Sequence, residues 1–114
     1  MQMRIDSYSF GSIVIDGKIY TKDVLIFPDL VISPWWRKEG HLLKIEDLEE
    51  VLKEKPDVLV IGKGYSGVME VPDVIVQELA IEGIRVVVKD TSEAVSVFNI
   101  LNYRKKVAAL HLTC

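Results

Sequence analysis

Cysteine occurs once in the 114 residues, at Cys114, so the chain cannot close a disulfide on itself and offers no Cys-x-x-Cys spacing for a metal or a redox cycle. A reducing compartment suits such a chain. Long apolar runs are also missing: Val24-Leu25-Ile26-Phe27 and Val58-Leu59-Val60-Ile61 fall far short of the ~20 residues that cross a bilayer. Membrane insertion is therefore not expected. Positive charge is not in excess, since 14 Lys and Arg face 17 Asp and Glu for a formal charge of −3. With no pull on a polyphosphate backbone, nucleic acid is not expected as a partner. The opening Met1-Gln2-Met3-Arg4-Ile5-Asp6 has neither the apolar stretch of a secretory signal nor the Arg- and Ser-rich character of a transit peptide, so a cytoplasmic location is expected.

What is there is the make-up of an ordinary globular domain. Hydrophobic residues are 49% and charged residues 27%, with only four prolines, which separates the chain from disordered sequences. Its length suits one α/β domain over residues 1–114, folding alone or as a small homo-oligomer.

The hydrophobic pattern changes period along the chain. Ile5, Phe10, Ile13 and Ile15, then Ile19, Val24 and Ile26, alternate with polar residues as strands do, and Asp16-Gly17 is a two-residue hairpin signal. An antiparallel meander over residues 3–33 is expected. Pro34 to His41 reads as an ordered loop, and Ile45, Leu48, Val51 and Leu52 then recur at helical spacing until Pro56. Asp57 to Gly62 is an apolar run covered on both faces, as parallel strands are. A helix over 72–82, a strand over 85–89, a helix capped by Asp90 or Thr91, and a last strand over 106–113 complete a β-α-β-α-β order.

Several short motifs carry a family likeness. Tyr8-Ser9-Phe10-Gly11, Trp36-Arg37, His41, Leu59-Val60-Ile61-Gly62-Lys63-Gly64 with Val71-Pro72, Thr91-x-x-Ala94 with Asn99-Ile100-Leu101, and His111-Leu112-Thr113-Cys114 stand in one order along nearly the whole chain. The set resembles the family of the adipogenesis-associated Mth-domain protein and the mitochondrial NADH dehydrogenase (complex I) assembly factor 3. This resemblance implies a three-layer α/β domain with a central mixed five-stranded sheet flanked by helices, plus N-terminal β-hairpins. It implies no reaction and transfers no catalytic residue, because the family is not defined by one and its best-known eukaryotic members look like assembly or regulatory proteins.

Gly62-x-Gly64-x-x-Gly67 after a strand spells the dinucleotide fingerprint, with Asp90 in the place of a ribose-binding acid. In a true fingerprint the glycine loop opens directly into a helix, whereas Val68 to Val71 intervene here before Pro72. No nicotinamide cofactor is expected, nor any other. The loop is either a plain connection or a modest anion site, with Gly62, Lys63, Gly64 and Thr91 as donors.

Trp35, Trp36, Arg37 and His41 gather two aromatic faces, a guanidinium and an imidazole, which suits a ligand wall or partner hot spot. The opposing reading is that one tryptophan plugs the core. Trp36, Arg37 and His41 join the candidate ligand-binding residues. His111 and Cys114 stand three apart, which on a continuing strand puts them on opposite faces. Two histidines and one cysteine, dispersed along the chain, do not make a metal set. Arg104-Lys105-Lys106 is expected to complement a helix C-terminus and face water.

The expectation is thus a domain without an assigned reaction. It binds a protein partner or a small anionic ligand, in an assembly or regulatory role. The alternative is a small enzyme acting on an anionic metabolite, with Lys63 holding the anion and His41 or His111 moving a proton.

Overall fold

The computed structural model describes residues 3–114; Met1 and Gln2, part of the stretch read above for a leader, lie outside the described residues. Asp16 and Gly17 both take positive φ, 47° and 80°, as a two-residue hairpin turn requires. The turn joins β2 (Ser12–Ile15) to β3 (Lys18–Tyr20), and β1 (Ile5–Ser9) pairs antiparallel with the other edge of β2. Asp6 accepts the Gly17 N–H at 2.7 Å, which fixes the turn against β1.

The meander then stops, contrary to the expectation of one antiparallel sheet through residue 33. Val24, Leu25 and Ile26 of β4 (Val24–Ile26) are all buried, whereas Lys18 and Ile19 of β3 are exposed. A strand apolar on both faces needs cover on both, and it finds that in the second sheet. There β4 and β5 (Val31–Ile32) join β6 (Val58–Lys63), β7 (Arg85–Lys89) and β8 (Lys106–His111) in the order β5-β4-β8-β6-β7. The β6–β7 and β6–β8 pairs are parallel and β4–β8 is antiparallel, so the five-stranded sheet is mixed. α2 (Asp73–Ile81) and α3 (Thr91–Ile100) make the crossovers, and α1 (Glu49–Glu54) follows a 3-10 turn over Ile45–Leu48.

Alternation along these strands sorts the interior into two cores. Leu25, Leu59, Ile61, Val107 and Ala109 pack on one side with Trp35, Val51, Ile75 and Leu79. Val24, Ile26, Val60, Ala108 and Leu110 face the other, where Phe98 of α3 and Ile5, Ile13 and Ile15 of the small sheet close over them. The molecule is thus layered helices, sheet, then helix with the N-terminal hairpins.

Lys106 departs from the solvent-facing role expected of it. It is 5% exposed, and its ammonium donates to the carbonyls of Phe98 and Leu101 at the end of α3 while lying 4.4 Å from the centre of the Phe98 ring. The complement to the helix C-terminus is real, but it is made from inside. Burial, with the nearby Arg4 charge, pushes the Lys106 ammonium pKa down.

Because β6, β7 and β8 run in parallel, Lys63, Lys89 and His111 end at one edge of the sheet. The antiparallel β4 begins at that same edge, with Val24 opposite Leu110. Asp23, just before β4, is thereby set beside His111.

Candidate functional site

Asp23 is the hub of this edge. One carboxylate oxygen accepts the Leu112 N–H at 2.7 Å, and the other lies 2.8 Å from both Arg37 Nη2 and His111 Nδ1. Burial alone would raise the Asp23 pKa, but the His111 ring, the Leu112 N–H and Arg37 outweigh it and hold the carboxyl below its ordinary value.

The proton on His111 follows from counting donors. Arg37 Nη2 carries two hydrogens, and they are taken by Asp23 at 2.8 Å and the Gly40 carbonyl at 3.1 Å. Its 3.1 Å approach to His111 Nδ1 is therefore proximity and not a third bond. Nδ1 carries a hydrogen and donates it to Asp23. This leaves Nε2 facing the other way, buried and without a hydrogen-bond partner among the described residues, as are Nε and Nη1 of Arg37. The guanidinium instead lays its face over the Trp35 ring, 4.6 Å from the centroid.

The two tryptophans divide as only one of the opposed readings allowed for. Trp35 is 4% exposed and donates its indole N–H to the Asp47 carbonyl at 2.9 Å, while Trp36 is 80% exposed. Trp36, Arg37 and Gly40 line a cleft of about 510 Å³ with Lys22, Asp23 and Thr113. His41 is exposed and does not line this cleft: the His41 carbonyl accepts the Glu70 N–H at 2.8 Å, and the imidazole ring lies 5.9 Å from that of His111.

The glycine loop is organised differently. Thr91, fully buried, accepts the Gly64 N–H at 2.8 Å and donates its hydroxyl to the His111 carbonyl at 2.6 Å, and its own N–H returns to the Gly64 carbonyl at 3.0 Å. The Gly64 N–H and the Thr91 N–H, read as anion donors, are thus engaged with each other's residue, and the Thr91 hydroxyl with His111. A Cβ on Gly62 would stand 2.7 Å from the Thr91 hydroxyl, so that glycine serves the close approach. The loop does not run into α2, which begins only at Asp73; it doubles back so that Tyr65 and Val68 donate to the carbonyls of Thr113 and Cys114. Lys63 lies at the end of β6 in register with His111.

The last residues depart from the alternation argument. β8 ends at His111, and Cys114 takes φ of 42°, so strand geometry does not carry on to it. Donor atoms of His41, His111 and Cys114 all lie within 4.8 Å of one another. The three residues dispersed in sequence are neighbours in space.

Trp36, Arg37 and His41 stand out in the sequence as candidates, and Asp23 does not. An aspartate between Lys22 and a strand looks like any solvated turn residue, and no local signal distinguishes it. Tyr8 does not stand out either, beyond its place in a motif: its hydroxyl donates to the Leu112 carbonyl at 2.7 Å. Burial first, then Tyr65 and Asp23, push its pKa up to about 12.

A mixed-sheet α/β domain with a polar cluster at the carboxyl edge of its parallel strands defines the class. The chain belongs to the family described as "Protein of unknown function (DUF498/DUF598)", whose model matches residues 5–112. It is similar to the conserved hypothetical protein PH1505 from Pyrococcus horikoshii, at 29% identity and a TM-score of 0.78, over 97% of this chain and 99% of that one. It is similar to MT938 at 28% identity and a TM-score of 0.78, over 99% and 100% of the two chains. A Mth938-like domain from Bordetella pertussis shares the fold at 19% identity and a TM-score of 0.74, over 96% of this chain and 85% of that one. The Mth-domain resemblance read from the motifs is borne out. No helix among the described residues is long and apolar enough to cross a membrane.

Proposed function

We propose that this domain is a binding module for a small anionic ligand, acting in an assembly or regulatory role and not as a catalyst. The observation that carries the reading is the cleft of about 510 Å³ walled by the exposed Trp36 indole and bordered by Lys22. An aromatic face with one cation beside it suits a compact carboxylate or phosphate ester with a flat or apolar body. Asp23 and Arg37 neutralise each other at the floor, so Lys22 supplies the attraction, and the buried ion pair keeps the floor rigid.

A protein partner is the second reading, supported by a different face. Phe10 and Tyr65 stack edge to face at 5.8 Å and remain 59% and 54% exposed, and Val68, three residues after Tyr65, is 50% exposed. Such adjacent apolar side chains are the make-up of a partner contact.

The test of the first reading is a panel of carboxylates and phosphate esters followed by tryptophan emission, because Trp36 is the tryptophan in contact with solvent. A ligand in the cleft shifts the emission of wild type and of Lys22→Ala, and calorimetric titration, which needs no reporter, should show Trp36→Ala and Lys22→Ala each binding about tenfold or more weakly while the melting temperature stays in place. No response across the panel, or equal binding by Trp36→Ala, sinks the reading.

A further inference from the structure

The cluster at the far side of His111 goes beyond the cleft. Here a buried imidazole nitrogen and a thiol from the C-terminal stretch meet a second imidazole from the loop at His41. His111 is 6% exposed and its Nδ1–H is fixed on Asp23, which leaves Nε2 as its available donor atom. The direction of that edge is set by Gly64: a point at its missing Cβ lies 2.9 Å from His111 Cδ2, the atom bonded to Nε2, and 2.7 Å from the Cys114 carbonyl carbon. The unpartnered side of the ring therefore faces the Cys114 end, and His41 stands edge to face with it at 5.9 Å.

We propose that His41, His111 and Cys114 bind a zinc ion, with Asp23 as the positioning residue for His111. Three features support this in independent ways. First, the donor set is chemically coherent: two neutral imidazoles and one thiolate suit a d¹⁰ divalent ion of borderline softness, whereas an all-oxygen ion such as magnesium or calcium would reject it. Second, Asp23 holding Nδ1–H is the carboxylate–histidine arrangement that fixes the tautomer of a zinc ligand and raises its basicity. Third, the buried Nε2 has no hydrogen-bond partner among the described residues, a cost that a metal bond removes.

Donor spacing sets what must move. Bonds of ~2.0 Å to nitrogen and ~2.3 Å to sulfur hold tetrahedral donors about 3.3–3.6 Å apart, and these three atoms lie within 4.8 Å of one another. The donors must close by at most about 1.5 Å. His41 is exposed and Cys114 partly exposed, so closure falls to them while buried His111 stays in place. Three protein ligands leave the fourth position open toward solvent.

A thiol–imidazole pair for nucleophilic catalysis is the competing chemistry of the same atoms. It needs a hydrogen bond between Cys114 and His111, and Nε2 makes none among the described residues. It also assigns no role to His41.

The experiment is a cobalt(II) and zinc(II) titration of the reduced, untagged full chain. Cobalt should give tetrahedral d–d bands and a sulfur-to-cobalt charge-transfer band, with zinc displacing it stoichiometrically. Cys114→Ser should abolish the charge-transfer band, and His41→Ala should weaken zinc binding by at least tenfold; neither side chain is buried, so both variants remain folded. Asp23→Asn should weaken zinc by about 10–100-fold while the charge-transfer band persists at saturation, as expected of a residue that acts through a ligand. Cobalt spectra without sulfur character, or zinc affinity unchanged in both Cys114→Ser and His41→Ala, overturn the proposal. So does a Cys114 alkylation rate that titrates with His111 in the absence of any metal uptake. Trp36→Ala retains zinc in this scheme, so loss of the cleft reading leaves this one standing.

Discussion

The two loops at the carboxyl edge of the sheet, residues 62–67 and 34–41, are built on opposite terms. In the first, Gly64 is held by the start of α3: Gly64 and Thr91 exchange hydrogen bonds in both directions, and Thr91 holds the His111 carbonyl. In the second, a charged network stops short, with two nitrogens of Arg37 and one of His111 left without partners among the described residues. The glycine loop carried the conspicuous motif, and its Gly64 and Thr91 groups are already hydrogen-bonded within the fold. The other, whose motif is only a pair of tryptophans, carries the unfinished chemistry. Unmatched buried polar groups are uncommon in a well-packed interior, and the one on His111 motivates the metal proposal made above.

The sharpest way to break this contrast is at Asp23. Asp23→Ala leaves the Arg37 guanidinium, 5% exposed, without its counter-charge, and should cost about 3–5 kcal/mol in denaturant unfolding. The pH dependence carries a sign. The folded pKa of Asp23 lies below the unfolded one, so its contribution is complete above the unfolded value and is lost as pH falls through the folded value. Wild-type stability should therefore drop below pH about 4, with a shallower acid slope in Asp23→Asn. An equal slope in both would place the acid sensitivity elsewhere.

Trp35→Ala should cost a similar ~3–5 kcal/mol, as for other buried aromatics, and Trp36→Ala should stay within about 0.5 kcal/mol of wild type. Equal losses at the two positions would erase the division between plug and wall. In the glycine loop, Thr91→Val strands a buried N–H and a carbonyl at once and should cost about 1–3 kcal/mol. Gly64→Ala should fall in the same range, because φ is 106° and the added carbon meets the chain at Cys114. Either variant without a measurable fall in melting temperature would mean the loop is less closed than its hydrogen bonds indicate.

Where the sequence could be read, a local rule had only one solution. Asp16-Gly17 called for positive φ at both centres, Arg85 to Lys89 had the length and composition of a strand, and Gly83 closed α2; each appears where expected. What could not be read depends on partners distant in the chain. β4 belongs to the larger sheet because β8 is there to receive it, and neither the polar residues between Ile19 and Val24 nor the run Val24 to Phe27 names that partner. Of the candidate site, Trp36, Arg37 and His41 were legible from composition within one loop. Which tryptophan faced inward was not, because that follows from how Trp35 reaches Asp47. His111 and Cys114 were separated by an alternation rule that holds only while a strand lasts, and β8 ends at His111.

The Asp23–His111 bond joins positions 88 residues apart, which gives the site a place in time as well as in space. A contact spanning that much chain carries the full entropy of closing the loop, so it forms after the local hairpins and crossovers have already been made. Nothing resembling the site exists in a chain whose last strand has not docked between β4 and β6. Ligand or metal capture at His111 would then report completed folding of the whole domain, and a partner that reads this edge would recognise only finished molecules.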